Sequence, residues 1–403
     1  MIESTRDPAE VAAWLRLTTT SGVSAQTARR LLAAFGLPQS VLAQDAKRLR
    51  EVAEPAAVRA LCAGPDADMA ARIDRTMAWL GEPHHCLVTL ADDAYPSQLL
   101  DLADPPLMLY VNGDPTRLHR QSLGVVGARH ATQQGERNAR TFAAAFSAAS
   151  VTVVSGLALG IDAAAHAEAL NGPGGTLAVV GTGADIVYPS RHHALAHQIV
   201  DAGGAIVSEF PLGTPGLPGH FPRRNRIIAA LTRGVLVVEA AERSGSLITA
   251  RLASEIGREV FAIPGSIHAE LSRGCHKLIR QGAKLVETAA DVFEEFADLA
   301  APSPVAPCRA ALPSARRRDR RDAGSSSGPG PGPAQQAREA PPKKAAPGVS
   351  DALAAALAYD PVTFDALCER AGVTASVAAA SLLQLELSGT VERLPGNRFR
   401  RLA

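Results

Sequence analysis

Between Ser122 and about Phe296, short Val-rich apolar runs alternate with stretches whose apolar residues recur at helical spacing. Continuous apolar runs of this length, separated by amphipathic helices, are typical of a parallel sheet covered on both faces. The pattern predicts an α/β domain over residues 83–300, with an extended Rossmann-like, doubly wound, mostly parallel sheet. The predicted strands are residues 123–127, 151–156, 177–181, 205–209, 235–240, 260–265 and 284–287.

The N-terminal part of the chain has helical spacing and predicts helices at residues 9–17, 26–35, 39–52 and 66–80. Together they predict a helical domain over residues 1–82, of the SAM or helix-hairpin-helix type. Residues 22–36 resemble a hairpin turn that feeds a helix ending on a glycine cap. Such a turn can hold a DNA phosphate or simply connect two helices, and we favour the connector.

Residues 85–113 begin with the strand-like CLVTL and continue as a segment with Tyr-Pro and Pro-Pro steps. Because the residue before a proline avoids the helical region, this segment is predicted to be a non-helical arm packed on the α/β domain.

The C-terminal part changes composition twice. Residues 301–349 are rich in Pro, Ala, Gly and Ser, cannot bury enough apolar area to fold, and predict a flexible linker. Its cluster of five arginines (316–318, 320 and 321) can contact nucleic acid or simply be solvated. Residues 350–403 predict a winged helix, with helices at 351–358, 364–369 and 374–388 and a hairpin through Pro395 and Gly396.

The second helix of this winged helix differs from that of most DNA readers. It contains Ser376, Gln384 and Glu386 but no Lys or Arg, whereas the wing contains Arg393, Arg398, Arg400 and Arg401. The distribution favours contact with a protein, or weak contact with a DNA backbone, over base reading in the major groove.

Charge and cysteine content limit the possible partners and compartment. The chain has 41 basic and 40 acidic residues, so nucleic-acid binding would depend on local patches. Its five cysteines are scattered, odd in number and without a CxxC pair, which suits a reducing cytosol and implies no metal site. With no signal-like N-terminus and no apolar run of bilayer length, we expect a cytoplasmic protein without membrane contact.

The candidate chemistry lies in the turns that follow the predicted strands. In open parallel sheets, ligands bind at the carboxyl ends of the strands, where GARHAT, SGLALGID, GTGAD, SEFP and SGSLIT fall. Arg129, Ser155 and Gly156 are expected to meet an anion there, as are Ser244, Gly245 and Ser246 at the start of a helix. The segment FPRRNRIIAAL adds Phe221, Arg223, Arg224, Asn225 and Arg226 at a predicted helix entrance, where arginines bind phosphates and a ring can stack on a base.

The residues for a cofactor or a reaction are missing. The first βα turn reads GVVGARHAT and not GxGxxG, GTGADI lacks the third small residue, and no Walker A Lys-Ser/Thr occurs, so no nucleotide cofactor is expected. His193 and His197 lack the glutamate of a zinc protease motif. In GIDAAAH, a helix-capping Asp162 and a buried His166 explain the pattern as well as a catalytic role would. No arrangement indicates catalysis.

These blocks, in their order, resemble the DNA-processing protein A (DprA/Smf) family. The resemblance runs from about Tyr95 to Val286 and rests on VVGARHAT, VSGLALGIDAAAHAEAL, GTGADIVYPSRHHAL, FPRRNRIIAAL, RSGSLITARLASEIGREVFAIPGS and RGCHKLIRQGAKLV. It implies a dimeric Rossmann-like protein that binds single-stranded DNA and loads the RecA recombinase onto it in natural transformation, without turnover.

The resemblance also implies site residues. The family's Gly-x-Arg motif falls on Gly127 and Arg129, its Ser-Gly turn on Ser155 and Gly156, and its FPxRNR segment on Phe221, Arg224, Asn225 and Arg226. His130, His192 and His276 stand where an Asn is expected, which affects the detailed shape of the pocket and not the class.

Two functions of other classes remain as alternatives. A nucleotide phosphoribohydrolase on a related scaffold would contain a glutamate-bearing PGGxGT segment, which is absent. A winged-helix regulator of duplex DNA would have a basic recognition helix, which Glu386 and the missing Lys and Arg argue against.

Overall fold

The computed structural model describes residues 6–296 and, near the C-terminus, residues 357, 362–371, 373, 378, 381–382, 385–386, 390–394 and 398–401. The chain divides into two compact units, Met1–Pro302 and Ser303–Ala403. The predicted linker, its arginine cluster and nearly all of the predicted helix 351–358 lie outside the described residues.

A nine-stranded sheet forms the centre of the first unit. Its strands are β1 (His85–Thr89), β2 (Met108–Gly113), β3 (Ser122–Val126), β4 (Thr152–Ser155), β5 (Thr176–Val179), β6 (Ala205–Ser208), β7 (Gly234–Val237), β8 (Glu259–Ala262) and β9 (Lys284–Leu285). The order is β1-β2-β6-β5-β4-β3-β7-β8-β9, and β3 to β9 all run parallel. Each of the seven predicted strands is present, which confirms the doubly wound, mostly parallel fold.

The segment 85–113 was predicted to be a non-helical arm packed on the domain, but its last residues are a strand of the sheet itself. β2 pairs antiparallel with both β1 and β6, with Tyr110 opposite Ser208, and so extends the sheet. The prolines lie in the connection before β2, and this connection contains a 3-10 helix at Ser97–Asp101. The apolar run LMLYV after Pro106 is long enough to enter the core as a strand.

Helices cover both faces of the sheet. They are α7 (Gln133–Ala148), α8 (Ile161–Ala169), α9 (His193–Asp201), α10 (His220–Leu231), α11 (Ser246–Glu255), α12 (Arg273–Arg280) and α13 (Ala289–Phe293). Helices α7, α8 and α13 pack on one face around Phe142, Phe146 and Phe293, with α9 alongside, whereas α10, α11 and α12 pack on the other around Ile227, Ile228 and neighbouring residues.

Six helices precede the sheet and pack against its β1–β2 edge. They are α1 (Pro8–Thr19), α2 (Ala25–Phe35), α3 (Pro38–Leu42), α4 (Ala46–Leu49), α5 (Pro55–Cys62) and α6 (Ala67–Leu80). Their core joins Trp14 to Leu87 and Tyr110 of the strands. The predicted helix 39–52 is two short helices, because Asp45 caps α4 by accepting from the Arg48 amide at 2.9 Å. The domain boundaries near residues 82 and 300 stay predictions.

The second unit contains a three-stranded sheet and a helix in its described part. These are β10 (Val362–Thr363), α14 (Phe364–Ala371), β11 (Val391–Leu394) and β12 (Arg398–Arg401), with the sheet order β10-β12-β11. The helix and the wing strands lie where they were predicted, but most of the predicted second helix falls outside the described residues. Within the wing, Arg400 pairs with the buried Glu392 at 2.6 Å, so part of its charge is compensated.

Candidate nucleic-acid interface

The predicted turns all lie along one edge of the sheet. GARHAT, SGLALGID, GTGAD, SEFP and SGSLIT follow β3, β4, β5, β6 and β7, and these five strands run parallel. After β3 the chain builds β4 to β6 on one side, and α10 then returns it to β7 on the other. This reversal between β3 and β7 is a topological switch point, where ligands of such sheets bind.

Helix α10 carries the arginines, but it does not present them together. It begins at His220, so Arg223, Arg224 and Arg226 lie within its first two turns. Arg224 is 4% exposed and points into the protein, whereas Arg223 and Arg226 both pair with Glu209, which follows β6. Residues three apart share a helix face and adjacent residues do not, which explains this division.

Arg224 lies beneath the sheet edge and not on it. Its Nη1 donates to the Val179 carbonyl at the end of β5. A Cβ on Gly156 would lie 2.0 Å from the same Nη1, so glycine makes room for the guanidinium. Burial lowers the pKa of Arg224 to about 10, and Asp162 opposes this shift, so the side chain stays cationic at neutral pH. Arg224 therefore contributes charge from below the surface.

Asp162 supplies the opposite charge inside the protein. It accepts from the Gly156 amide at 3.1 Å and the Ala158 amide at 3.3 Å. Burial raises the pKa of its carboxyl, and Arg224 and these amides oppose the rise. The Ser155 hydroxyl donates to the Val125 carbonyl at 2.6 Å. The expectation that Ser155 and Gly156 offer free donors to an anion is corrected accordingly: both donors are occupied within the protein.

His166 joins this buried group through a chain of hydrogen bonds. Its Nε2 accepts from the Leu157 amide at 3.2 Å, so Nδ1 holds the proton and donates to the Thr176 hydroxyl at 2.7 Å. That hydroxyl donates in turn to the Val153 carbonyl. Burial, with the nearby Arg224 and His192, lowers the pKa of His166 to about 3. The imidazole is thus a neutral brace between β4, β5 and α8.

A row of one cation and two rings, with Phe221 half-buried between two exposed residues, lies at the sheet edge. The Arg129 guanidinium lies 5.3 Å from the centre of the Phe221 ring, and Phe221 packs on Tyr188 with ring centres 5.6 Å apart. Arg129 and Tyr188 are exposed, Tyr188 by 50%. The sequence interpretation did not include Tyr188, although its position in the turn after β5 was a usable signal. We call these three side chains the rim row.

One glycine in the turn after β3 and one in the turn after β4 set the position of Arg129. A Cβ on Gly127 would lie 2.6 Å from the Ile161 side chain, and one on Gly160 would lie 2.4 Å from the Ala128 carbonyl. Gly160 also has a φ of +69°, which other residues rarely adopt. The two turns therefore approach more closely than side chains would allow, and this contact holds the backbone beside Arg129.

The remaining predicted residues lie where α10 meets α11. Asn225 is 9% exposed, and its Nδ2 donates to the Gly245 carbonyl at 3.4 Å. The Ser244 and Ser246 hydroxyls bond to each other at 2.7 Å, and Ser246 is buried. Ser244 also lines a groove of about 790 Å³ between α11 and α12, but its mixed lining of Arg251, Glu255 and similar residues does not favour an anion.

The histidines noted in the sequence lie apart from the rim row. His192 is buried and contacts the Leu157 carbonyl at 2.9 Å, and His276 contacts the Gly265 carbonyl at 3.0 Å. His193 and His197 are exposed on α9 with ring centres 4.6 Å apart. Among the described His, Cys, Asp and Glu residues, no group of three or more could hold a metal ion.

Over the same part of the chain, no helix has the length and apolar character needed to cross a membrane.

Comparison with known proteins identifies the family. The profile described as DNA recombination-mediator protein A matches residues 86–297, and that described as DprA winged helix domain matches residues 337–397. Protein Smf of Escherichia coli is 41% identical over 328 residues, which cover 81% of this chain and 80% of the relative. DNA processing protein DprA of Streptococcus pneumoniae is 47% identical over 208 residues, which cover 52% and 73%.

A solved structure agrees. DNA processing protein A from Streptococcus pneumoniae superposes with a TM-score of 0.61 at 35% identity, covering 72% of this chain and 98% of that chain. The profile match spans more than half of the 403 residues, and the Escherichia coli relative is matched over four fifths of its length. The chain belongs to the DNA recombination-mediator protein A family, also called DprA/Smf.

Proposed function

We propose that this protein binds single-stranded DNA along the carboxyl edge of its sheet and loads RecA onto that strand during natural transformation, without catalytic turnover. The rim row is the observation that carries the proposal. An exposed arginine beside two aromatic rings suits a phosphate and the bases next to it. The relatives named as DNA processing proteins support DNA as the polymer.

The rim row favours a single strand over a duplex. Bases of a duplex are already stacked on each other, so Phe221 and Tyr188 would have to compete with that stacking. Bases of a single strand can stack on these rings at little cost. The buried Arg224 lies beneath this edge and is not a contact itself, and the buried Asp162 opposes its charge.

Replacing Arg129 by alanine is expected to weaken binding to a labelled poly-dT strand about tenfold, because one exposed phosphate contact is lost. The slope of log affinity against log salt should fall by about 0.7, the value for one phosphate contact on a single strand. Fluorescence anisotropy over a salt series, with the matching duplex, measures both. Arg140→Ala removes an exposed arginine from α7, away from the rim row, and should change neither quantity.

A protein that binds no single strand, or whose Arg129 variant binds like the wild type, would refute the rim row as the DNA site. Arg224→Ala is the less informative variant, because a buried arginine tests folding and binding together.

RecA loading and a homodimer are the finer parts of the proposal, and they rest on the family resemblance. The protein is expected to shorten the lag of RecA filament assembly on the same oligonucleotide, and Arg129→Ala should lose that effect in proportion to its lost affinity. Sedimentation of the full chain should give twice the mass of 41.9 kDa. An unchanged lag would contradict RecA loading, and a single-chain mass would contradict the dimer.

A further inference from the structure

An acidic residue, Glu239, joins the end of β7 to the start of α7. It lies two residues beyond β7, at the edge where β3 and β7 are neighbours. One carboxylate oxygen accepts from the Thr132 amide at 2.9 Å, and the other accepts from the Thr132 hydroxyl at 2.6 Å. Thr132 is the N-cap of α7, and its hydroxyl accepts from the Gly135 amide at 3.0 Å. A carboxylate suits this place because a helix N-terminus carries a partial positive charge.

The first turn of α7 leaves room for this carboxylate. A Cβ on Gly135 would lie 2.3 Å from the carboxylate carbon of Glu239 and 2.4 Å from its Oε2. The φ of Gly135 is negative, so its backbone would accept alanine, which helices prefer to glycine. The carboxylate therefore explains the glycine at this position, and the backbone conformation does not.

Glu239 contacts both ends of the turn that carries Arg129. This turn is the six residues between β3 and α7. At its start, a Cβ on Gly127 would lie 3.0 Å from the Glu239 carbonyl, and at its end the carboxylate holds Thr132. The Arg129 side chain is exposed and packs 5.3 Å from the Phe221 ring, so its place in the rim row depends on the backbone that carries it.

We infer that Glu239 is a positioning residue for the bound single strand: it holds the turn in which Arg129 meets a phosphate beside Phe221, without contacting the DNA. Charge alone predicts the opposite effect. A carboxylate at a DNA-binding edge repels phosphates, so its removal would strengthen binding if Glu239 acted through charge. Weaker binding after an acid is removed therefore indicates positioning.

The inference rests on the proposed function and is tested by anisotropy with the same poly-dT strand and salt series. Glu239→Ala should weaken binding about fivefold and lower the salt slope by about 0.7 at most, the share of the Arg129 contact. Glu239→Gln keeps an oxygen for the Thr132 amide and an N–H for its hydroxyl, so it should bind within about twofold of the wild type. Glu242→Ala removes an exposed acid from the same turn and, as the matched control, should not weaken binding.

A double variant separates positioning from a general loosening of the fold. Where Arg129 is already alanine, Glu239→Ala should weaken binding no further, because the residue through which it acts is gone. Equal weakening in both backgrounds overturns the inference, as does a Glu239→Ala protein that binds as tightly as the wild type or more tightly; either leaves the proposed function intact. A wild type that binds no single strand overturns both.

Gly135→Ala gives the same comparison if Glu239→Ala does not fold. The added methyl group displaces the carboxylate but keeps its charge, in a helix that favours alanine. Binding should weaken about fivefold with Arg129 present and not at all with Arg129→Ala. Binding by Gly135→Ala that equals that of the wild type would overturn the inference.

Discussion

Replacing Asp162 by alanine is expected to lower the free energy of unfolding by about 3–5 kcal/mol, because two amides lose their acceptor and the buried Arg224 loses a nearby opposite charge. Arg224 would stay buried with its main source of negative potential gone. The Gly156 and Ala158 amides would also lose their acceptor. Urea denaturation at pH 7.5 measures the change, with Asp201→Ala, an exposed acidic residue of α9, as the control.

Two further variants separate charge from hydrogen bonding. Asp162→Asn keeps an oxygen for the two amides and should lose less than alanine does. Adding Arg224→Met to Asp162→Asn removes the buried positive charge that the first change leaves uncompensated. The double variant should therefore lose less unfolding free energy than the sum of the two single variants. A loss below about 1 kcal/mol in Asp162→Ala, or strict additivity in the double variant, would show that the two charges do not depend on each other.

Acidification is expected to destabilise the protein through His166. The folded pKa of about 3 lies below the ordinary value of 6.5, so the unfolded chain binds more protons between these values. The stability that His166 provides is complete above pH 6.5 and is lost as the pH falls towards 3. The full difference corresponds to about 4–5 kcal/mol at 1.36 kcal/mol per pKa unit.

The His166 contribution is isolated by comparing wild type with His166→Gln. Between pH 7.5 and pH 4.5, the wild type should lose about 2–3 kcal/mol more than the variant in urea denaturation. Asp162 contributes in the opposite direction, because burial raises the pKa of its carboxyl, but it does so in both proteins. An imidazole NMR signal that titrates near pH 6.5 would contradict a neutral buried His166.

The framework was predictable because it depends on local sequence. Runs such as LGVVG and VLVVEA are too apolar for an exposed strand, and each ends in small or polar residues that turn the chain at the same edge. The direction of parallel strands then brings the turns together without further information. Residues 108–113 were missed because the preceding prolines suggested an arm, whereas the strand is specified by its antiparallel partners β1 and β6.

The burial of individual side chains could not be predicted in the same way. The spacing of Arg223, Arg224 and Arg226 shows that they cannot share one face of a helix, but not which face is covered. That choice depends on Gly156, about seventy residues earlier, which leaves room for Arg224. Likewise Glu209 lies in SEFP and Tyr188 in GTGADIVYPSRHHAL, but their sequence positions do not show their partners. Only the folded chain brings Glu209 to Arg223 and Arg226, and Tyr188 to Phe221.

The return of the chain by α10 has a consequence for protein synthesis. The Ser122 hydroxyl at the start of β3 donates to the Leu231 carbonyl at the end of α10, 109 positions later, and β3 pairs directly with β7. A nascent chain that has only reached β6 has made Arg129 and Tyr188 but not Phe221. Ribosome-bound fragments should therefore gain affinity for a single strand late and in one step, after residue 237 has left the exit tunnel.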